Sequence, residues 1–189
     1  MAEQVGKSGL SIWKDFLTPL ELAEIRADVA VIQGAQGFGR AGTGQGEGND
    51  VRDLVRRDEV HWIDRATGTK AQAILWDKLD SVKQALNRTL FLGLSQFNGH
   101  YASYPAGGYY RRHRDCFAQD DSRVVSTVLY LNENWQIADG GQLRVYGVKS
   151  YVDIEPIGGT LVCFLSAESE HEVLLNHANR LSFTGWFSR

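Results

Sequence analysis

Apolar residues follow two different rhythms along this chain. In the first half they recur at helical spacing in two segments. Thr18-Pro19-Leu20-Glu21 combines an N-cap threonine, a proline at the first helical position and a glutamate placed for a capping box. Leu20, Ala23, Ala27 and Val31 then recur at three- and four-residue intervals, which predicts a helix to about Gln33. A second helix is predicted from about Lys70 to Phe91, with Ile74, Leu75, Leu79, Val82, Leu86 and Leu90 on one stripe. Between them, Val60 to Ile63 reads as a short strand.

After Gly93 the rhythm changes. Short runs rich in Val, Tyr, Phe, Leu and Thr follow one another, broken by Gly, Asn and Asp: FNGHYASYP, RVVSTVLYLN, GQLRVYG, YVDIEP, GTLVCFL, HEVLL and RLSFTGWF. Many short strands separated by turn residues predict an antiparallel sandwich or barrel. Helices first and strands afterwards give an α+β, mainly β class, with the helices packed on one side of a β-core.

Composition narrows the chemistry. The chain has 189 residues, a length that suits one domain. Its 20 Lys and Arg against 23 Asp and Glu weigh against a protein built to neutralise nucleic-acid phosphates. Two cysteines, Cys116 and Cys163, make no disulfide framework, and no apolar run has the length of a signal peptide or a membrane span. A reduced, cytoplasmic setting away from membranes is the expectation.

Seven of the 20 glycines fall between Gly34 and Gly48. Gly37-Phe38-Gly39-Arg40-Ala41-Gly42 matches the letters of a dinucleotide-binding motif. That motif needs a strand before it and a helix opening within it, and here a helix precedes it. Residues 34–50 are therefore expected to be a flexible loop, with a possible use as a lid.

The pattern with most chemical content is His113-Arg114-Asp115 together with His171. Two imidazoles and one carboxylate form the ligand set that holds Fe(II) on one face and leaves the other positions open. His61, His100 and His177 are read as structural histidines. Nine residues after His171, Arg180 lies in another strand-like run, where its guanidinium can fork onto a carboxylate. Tyr130 offers a hydroxyl to the same anion if it points inward.

With these residues assembled, the sequence resembles the Fe(II)/2-oxoglutarate-dependent dioxygenases, in their prolyl 4-hydroxylase branch, and within it the oxygen-sensing type and its bacterial counterparts. The stretches that carry the resemblance are VRRDEVHWI, YASYP, YYRRHRD, RVVSTVLYLNENW, DGGQLRVY and HEV…NRLSFTGWF. It implies one domain over residues 1–189. Within it would lie a helical support at about 10–92 and a double-stranded β-helix (jelly-roll) core at about 95–189.

His113, Asp115 and His171 would bind the metal. Arg180 and Tyr130 would hold the distal carboxylate of 2-oxoglutarate, Tyr104 and Thr184 would line its pocket, and Leu143 would form an apolar wall. Arg123 and Trp186 would flank the entrance for a peptide proline. Arg56 and Asp58 would stand near the end of a finger over the substrate. The implied cofactors are Fe(II), 2-oxoglutarate and O₂, with ascorbate as a reductant. The implied reaction is 4-hydroxylation of a prolyl residue in a protein partner, coupled to conversion of 2-oxoglutarate to succinate and CO₂. The translation apparatus is the first place to seek that partner, and a monomer is expected.

Two other readings remain open at this level. A nucleic-acid oxidative demethylase with the same metal site would use Arg111, Arg112, Arg114 and Arg123 on phosphates. A non-catalytic cupin-like metal-binding module would show no coupling between iron and 2-oxoglutarate.

Overall fold

In the computed structural model the described residues are 1–42, 54–116 and 122–189. Residues 43–50 of the expected flexible loop lie outside them. Among the described residues there are three α-helices, α1 (Ala2–Ser8), α2 (Pro19–Gly34) and α3 (Lys70–Leu90). Both longer helices open with complete capping boxes, Thr18 with Glu21 and Thr69 with Gln72. Each box satisfies two backbone N–H groups that a helix start leaves unpaired.

The stripe on α3 falls where the sequence places it, with Leu75, Leu79, Val82 and Leu86 buried. In α2 the burial differs. Leu20 and Val31 are 70% and 73% exposed, and the buried residues are Ile25 and Val29, with half-buried Leu22 and Ile32 packed beside them. Several apolar residues lie off that face, so spacing alone does not choose it.

Among the described residues, eleven strands form two antiparallel sheets. The larger contains β1 (Leu10–Trp13), β2 (Gly39–Arg40), β3 (Glu59–Ile63), β4 (Gln96–Tyr104), β6 (Arg123–Tyr130), β9 (Leu161–Leu165) and β11 (Arg180–Ser188). Their order is β1-β9-β6-β11-β4-β3-β2. The smaller contains β5 (Tyr110–His113), β7 (Leu143–Tyr146), β8 (Tyr151–Ile154) and β10 (Glu170–Val173), in the order β5-β10-β7-β8. The N-terminal region thus supplies three strands to the larger sheet as well as the helices. Gly39 and Arg40, inside the dinucleotide-like motif, form β2 against β3, where that motif would open a helix.

Strand alternation divides the interior in two. Tyr101, Val125, Leu129, Leu161, Cys163, Phe183 and Phe187 join α1, α2 and α3 in one apolar cluster. Ala102, Tyr104, Val128, Tyr130, Val162 and Phe164 face the smaller sheet in a second, with Leu143, Val145, Ile154 and Val173. Successive side chains of a strand point to opposite faces, so a strand buried on both reads as the continuous run Leu-Val-Cys-Phe-Leu seen in β9. Fully burying one such side chain stabilises by ~1.5–3 kcal/mol.

Gly99 and Gly185 face each other across β4 and β11. A Cβ on Gly185 would meet the Asn98 carbonyl oxygen at 2.6 Å, and one on Gly99 would meet the Phe183 ring at 2.5 Å. This pair lets the strands carry aromatic rings across the gap between them.

Candidate active site

Strands β5 and β10 pair antiparallel with His113 directly opposite His171. Asp115 follows two residues after His113, just beyond the end of β5. Its Oδ1 lies 3.5 Å from His113 Nε2 and 3.7 Å from His171 Nε2. One ligand atom from each of the three residues falls within 4.8 Å of the others, so the set can grip a single metal ion.

The remaining ring nitrogens explain the orientation. His113 Nδ1 is 2.7 Å from the Arg111 carbonyl oxygen, and His171 Nδ1 is 3.1 Å from that of Ser169. A carbonyl only accepts, so each Nδ1 carries the proton and each Nε2 turns a lone pair towards Asp115. Burial pushes the pKa of His171 down, which favours the neutral, ligating form. Burial acts to raise the Asp115 carboxyl, but the charge of the two imidazoles in their protonated form, with hydrogen bonds from His113 and Ser126, holds the group well below the usual carboxylate range.

A cavity of about 400 Å³ opens beside this triad. Arg180 begins β11 opposite Tyr104 on β4 and is only 3% exposed. Its Nε donates to the Gly141 carbonyl at 2.8 Å and its Nη1 to Ser182 Oγ at 3.4 Å. Its Nη2 has no partner, and neither has the hydroxyl of fully buried Tyr130, whose ring centroid lies 5.2 Å from the guanidinium carbon. Burial pushes the Tyr130 phenol up to about 12 while the Arg180 charge acts to lower it, so the hydroxyl keeps its proton. Tyr104, Thr184 and Leu143 line the same cavity.

Buried polar atoms are nearly always paired, and two unpaired hydrogen-bond donors side by side call for an acceptor between them. A carboxylate meets that need. The three-ligand set and the donor pair therefore fit a metal ion and a dicarboxylate together.

Of the residues expected at the substrate side, Arg123, Trp186 and Arg56 line the cavity. The Arg123 guanidinium carbon lies 3.8 Å from the Trp186 ring centroid, and its Nη1 donates to the Asp115 carbonyl at 3.2 Å. Asp58 is 5% exposed, and its two oxygens accept from Arg56 Nε at 2.7 Å and Nη2 at 2.5 Å. It acts on the cavity through Arg56.

His100 requires a correction. It is no structural histidine outside the site, because its ring lies in the cavity wall, 4.6 Å from that of Trp62 and 5.5 Å from that of Trp186. Its Nδ1 has no partner, and burial, helped by Arg56 and Arg123 and opposed by Asp115, pushes its pKa down to about 3. Trp62 and Tyr110 also line the cavity without having been singled out. What groups them is register: Trp62 and Thr184 both sit opposite His100, on either side of it.

The arginine cluster is partly spent. Arg112 Nε donates to Glu170 at 2.9 Å, and Arg114 Nη2 lies 3.8 Å from the other oxygen of the same carboxylate. Cys116, half-buried, donates its thiol to the Arg123 carbonyl at 3.1 Å. Among the described residues no helix is long and apolar enough to cross a membrane.

Comparison with known proteins agrees with this geometry. A crystal structure of a Pseudomonas putida prolyl-4-hydroxylase is 39% identical, with a TM-score of 0.90 over 100% of this chain and 96% of that one. A Trichoplax adhaerens prolyl hydroxylase, solved with a peptide fragment of the hypoxia-inducible factor oxygen degradation domain, is 30% identical, with a TM-score of 0.88 over 99% and 86%. Human Egl nine homolog 1 is 29% identical over 195 residues, which cover 97% of this chain and 44% of the relative. The Caenorhabditis elegans hypoxia-inducible factor prolyl hydroxylase is 33% identical over 143 residues, 70% of this chain and 20% of the relative. The chain thus spans less than half the length of either of these two curated relatives. Residues 99–188, which hold the triad, Arg180 and both pocket tyrosines, match the 2OG-Fe(II) oxygenase superfamily. Together with the agreement over the whole chain at 39% identity, this match shows that the chain belongs to the prolyl hydroxylases of the 2OG-Fe(II) oxygenase superfamily.

Proposed function

We propose that this chain is an Fe(II)- and 2-oxoglutarate-dependent dioxygenase that hydroxylates a prolyl residue at its 4-position in a protein substrate. The observation that carries this reading is the pair of unpartnered donors, Arg180 Nη2 and the Tyr130 hydroxyl, beside the His113–Asp115–His171 set. A bare metal-binding module has no use for a buried anion receptor at that place.

His113, Asp115 and His171 hold the metal, and Arg180 with Tyr130 takes the distal carboxylate of 2-oxoglutarate. Tyr104 and Thr184 bound the pocket between them, and Leu143 keeps its floor apolar. The bound metal and 2-oxoglutarate supply the oxygen-activating chemistry, with succinate and CO₂ as co-products and ascorbate as a reductant that maintains Fe(II). The protein binds, orients and excludes water. Arg123 and Trp186 receive the peptide at the entrance, and Arg56, fixed by Asp58, closes the same side.

The two sheets correspond in this reading to a double-stranded β-helix core, and residues 1–189 act as a single domain and a monomer. The substrate is a cytoplasmic protein, sought first in the translation apparatus. The demethylase reading is weaker, because Glu170 already occupies two of its four arginines.

The test is incubation with Fe(II), 2-oxoglutarate and cell lysate, followed by peptide mass spectrometry. A gain of about 16 Da on proline, one oxygen atom, is expected, with none in the Arg180→Ala variant. Modification confined to lysine or to nucleobases overturns the substrate assignment.

A further inference from the structure

We infer that Tyr110 is a positioning residue that couples the metal-ligating imidazole of His113 to the segment carrying Arg56 and Asp58. Metal binding and docking of that segment then strengthen one another. The inference rests on the reading of His113 as a metal ligand.

Tyr110 and His113 are three residues apart on one strand, a spacing that ordinarily places side chains on opposite faces. The pairing of β5 with β10 is irregular at this point. His171 faces His113 and Val173 faces Tyr110, so three steps along β5 match two along β10. An extra residue of this kind bends the strand and re-aims a side chain. The Tyr110 ring is thereby brought onto the His113 imidazole, with centroids 3.6 Å apart and planes 17° from parallel. The Arg111 carbonyl already fixes His113 at its Nδ1 edge, and Tyr110 fixes the face.

The same ring meets the Arg56 segment. The Arg56 guanidinium carbon lies 4.3 Å from the Tyr110 ring centroid, a cation–π distance. The Asp58 carboxylate forks onto that guanidinium, and its side chain is fully buried in doing so. The backbones are joined as well. Arg56 bridges Tyr110, the Arg57 amide donates to the Tyr109 carbonyl at 2.9 Å, and the Arg111 amide donates to the Val55 carbonyl at 2.9 Å. The imidazole therefore cannot tilt without displacing the Tyr110 ring, and that ring cannot move without disturbing the buried Arg56–Asp58 ion pair, while the flanking Tyr109 carbonyl and Arg111 amide hold the two backbones together. An ion that selects one imidazole orientation selects the docked segment, and by reciprocity the docked segment raises affinity for the ion.

The test uses the whole chain without turnover. Co(II) is titrated anaerobically and followed by its visible d–d absorption, while hydrogen exchange is read at the Arg57 and Arg111 amides with and without Co(II). In the unmodified protein Co(II) should slow exchange at both amides. Tyr110→Leu should weaken Co(II) binding roughly 10-fold, within the usual range of coupling between sites, and remove the change in exchange. Tyr110→Phe, which keeps the ring, should restore both. Asp58→Asn, outside the metal-ligand set, should weaken Co(II) in the same direction and non-additively with Tyr110→Leu, and it serves alone if Tyr110→Leu does not fold.

Unchanged Co(II) affinity in Asp58→Asn and Tyr110→Leu overturns the coupling. So does a Tyr110→Phe variant as weak as Tyr110→Leu. Co(II) binding that survives His113→Ala overturns the metal-ligand reading itself, an outcome distinct from the others.

Discussion

Arg180 and Tyr104 face each other across β11 and β4, with the guanidinium carbon 5.0 Å from the tyrosine ring centroid. One Arg180 nitrogen is tied to Gly141 and another to Ser182, so the side chain is held before any ligand arrives. Only the third nitrogen is unpaired. That arrangement presents a fixed charge at low ordering cost on binding.

Arg180→Ala should therefore weaken 2-oxoglutarate about 100-fold, the loss of a charge-assisted contact of ~3 kcal/mol. Arg180→Lys keeps the charge and loses the planar fork, so it should fall between the two. Titration calorimetry on the metal-loaded protein checks both, with circular dichroism to show that the fold is kept.

Replacing His113, Asp115 or His171 with Ala should abolish the weak visible band expected when Fe(II) and 2-oxoglutarate are added without oxygen. Arg180→Ala should abolish the same band by another route, because metal binding persists while the cosubstrate is lost. Separate Fe(II) and 2-oxoglutarate titrations distinguish the two failures. A band that survives in both His113→Ala and Arg180→Ala rules out this site assignment.

Acidification should destabilise the fold through His100. The native ring stays neutral down to about pH 3, whereas the unfolded chain takes up the proton below about 6.5. Between these values the unfolded state binds more protons, so stability falls as pH falls. His171, also pushed down by burial, adds in the same direction. From pH 7 to pH 5 the His100 share is about 2 kcal/mol, at 1.36 kcal/mol for each pH unit below 6.5. Urea unfolding at the two pH values should show this drop, and His100→Gln should reduce it.

Gly185→Ala should cost about 1–3 kcal/mol, the range for overpacking a tight site. The added Cβ would meet the Phe97 ring and, at 2.6 Å, the Asn98 backbone oxygen, which cannot swing away as a side chain could. A fall in thermal midpoint is expected, with Fe(II) and 2-oxoglutarate affinities largely kept.

Much of this architecture was legible in the residues. Thr18, Pro19 and Glu21 announce α2 because capping is local chemistry, and the α3 stripe is legible because its apolar residues have one consistent period. The metal set was also legible, since His113 and Asp115 are neighbours and few residue types bind iron. His100, Trp62 and Tyr110 were not. Their grouping depends on the register of β3, β4 and β11 and on the irregular pairing of β5, which residue order does not encode. The buried face of α2 escaped for a related reason, because the element that packs on it decides which side is covered.

The two apolar clusters give the central strands a simple arithmetic. In β4, β6, β9 and β11, odd-numbered apolar residues such as Tyr101, Val125, Cys163 and Phe183 lie on the helical side. Even-numbered ones such as Tyr104, Val128, Phe164 and Trp186 lie on the reaction side. An engineer could read the parity of a position as a guide. Odd positions set the packing against the helices, and even positions set the second apolar cluster and the cavity wall, with one sheet as the bulkhead between them.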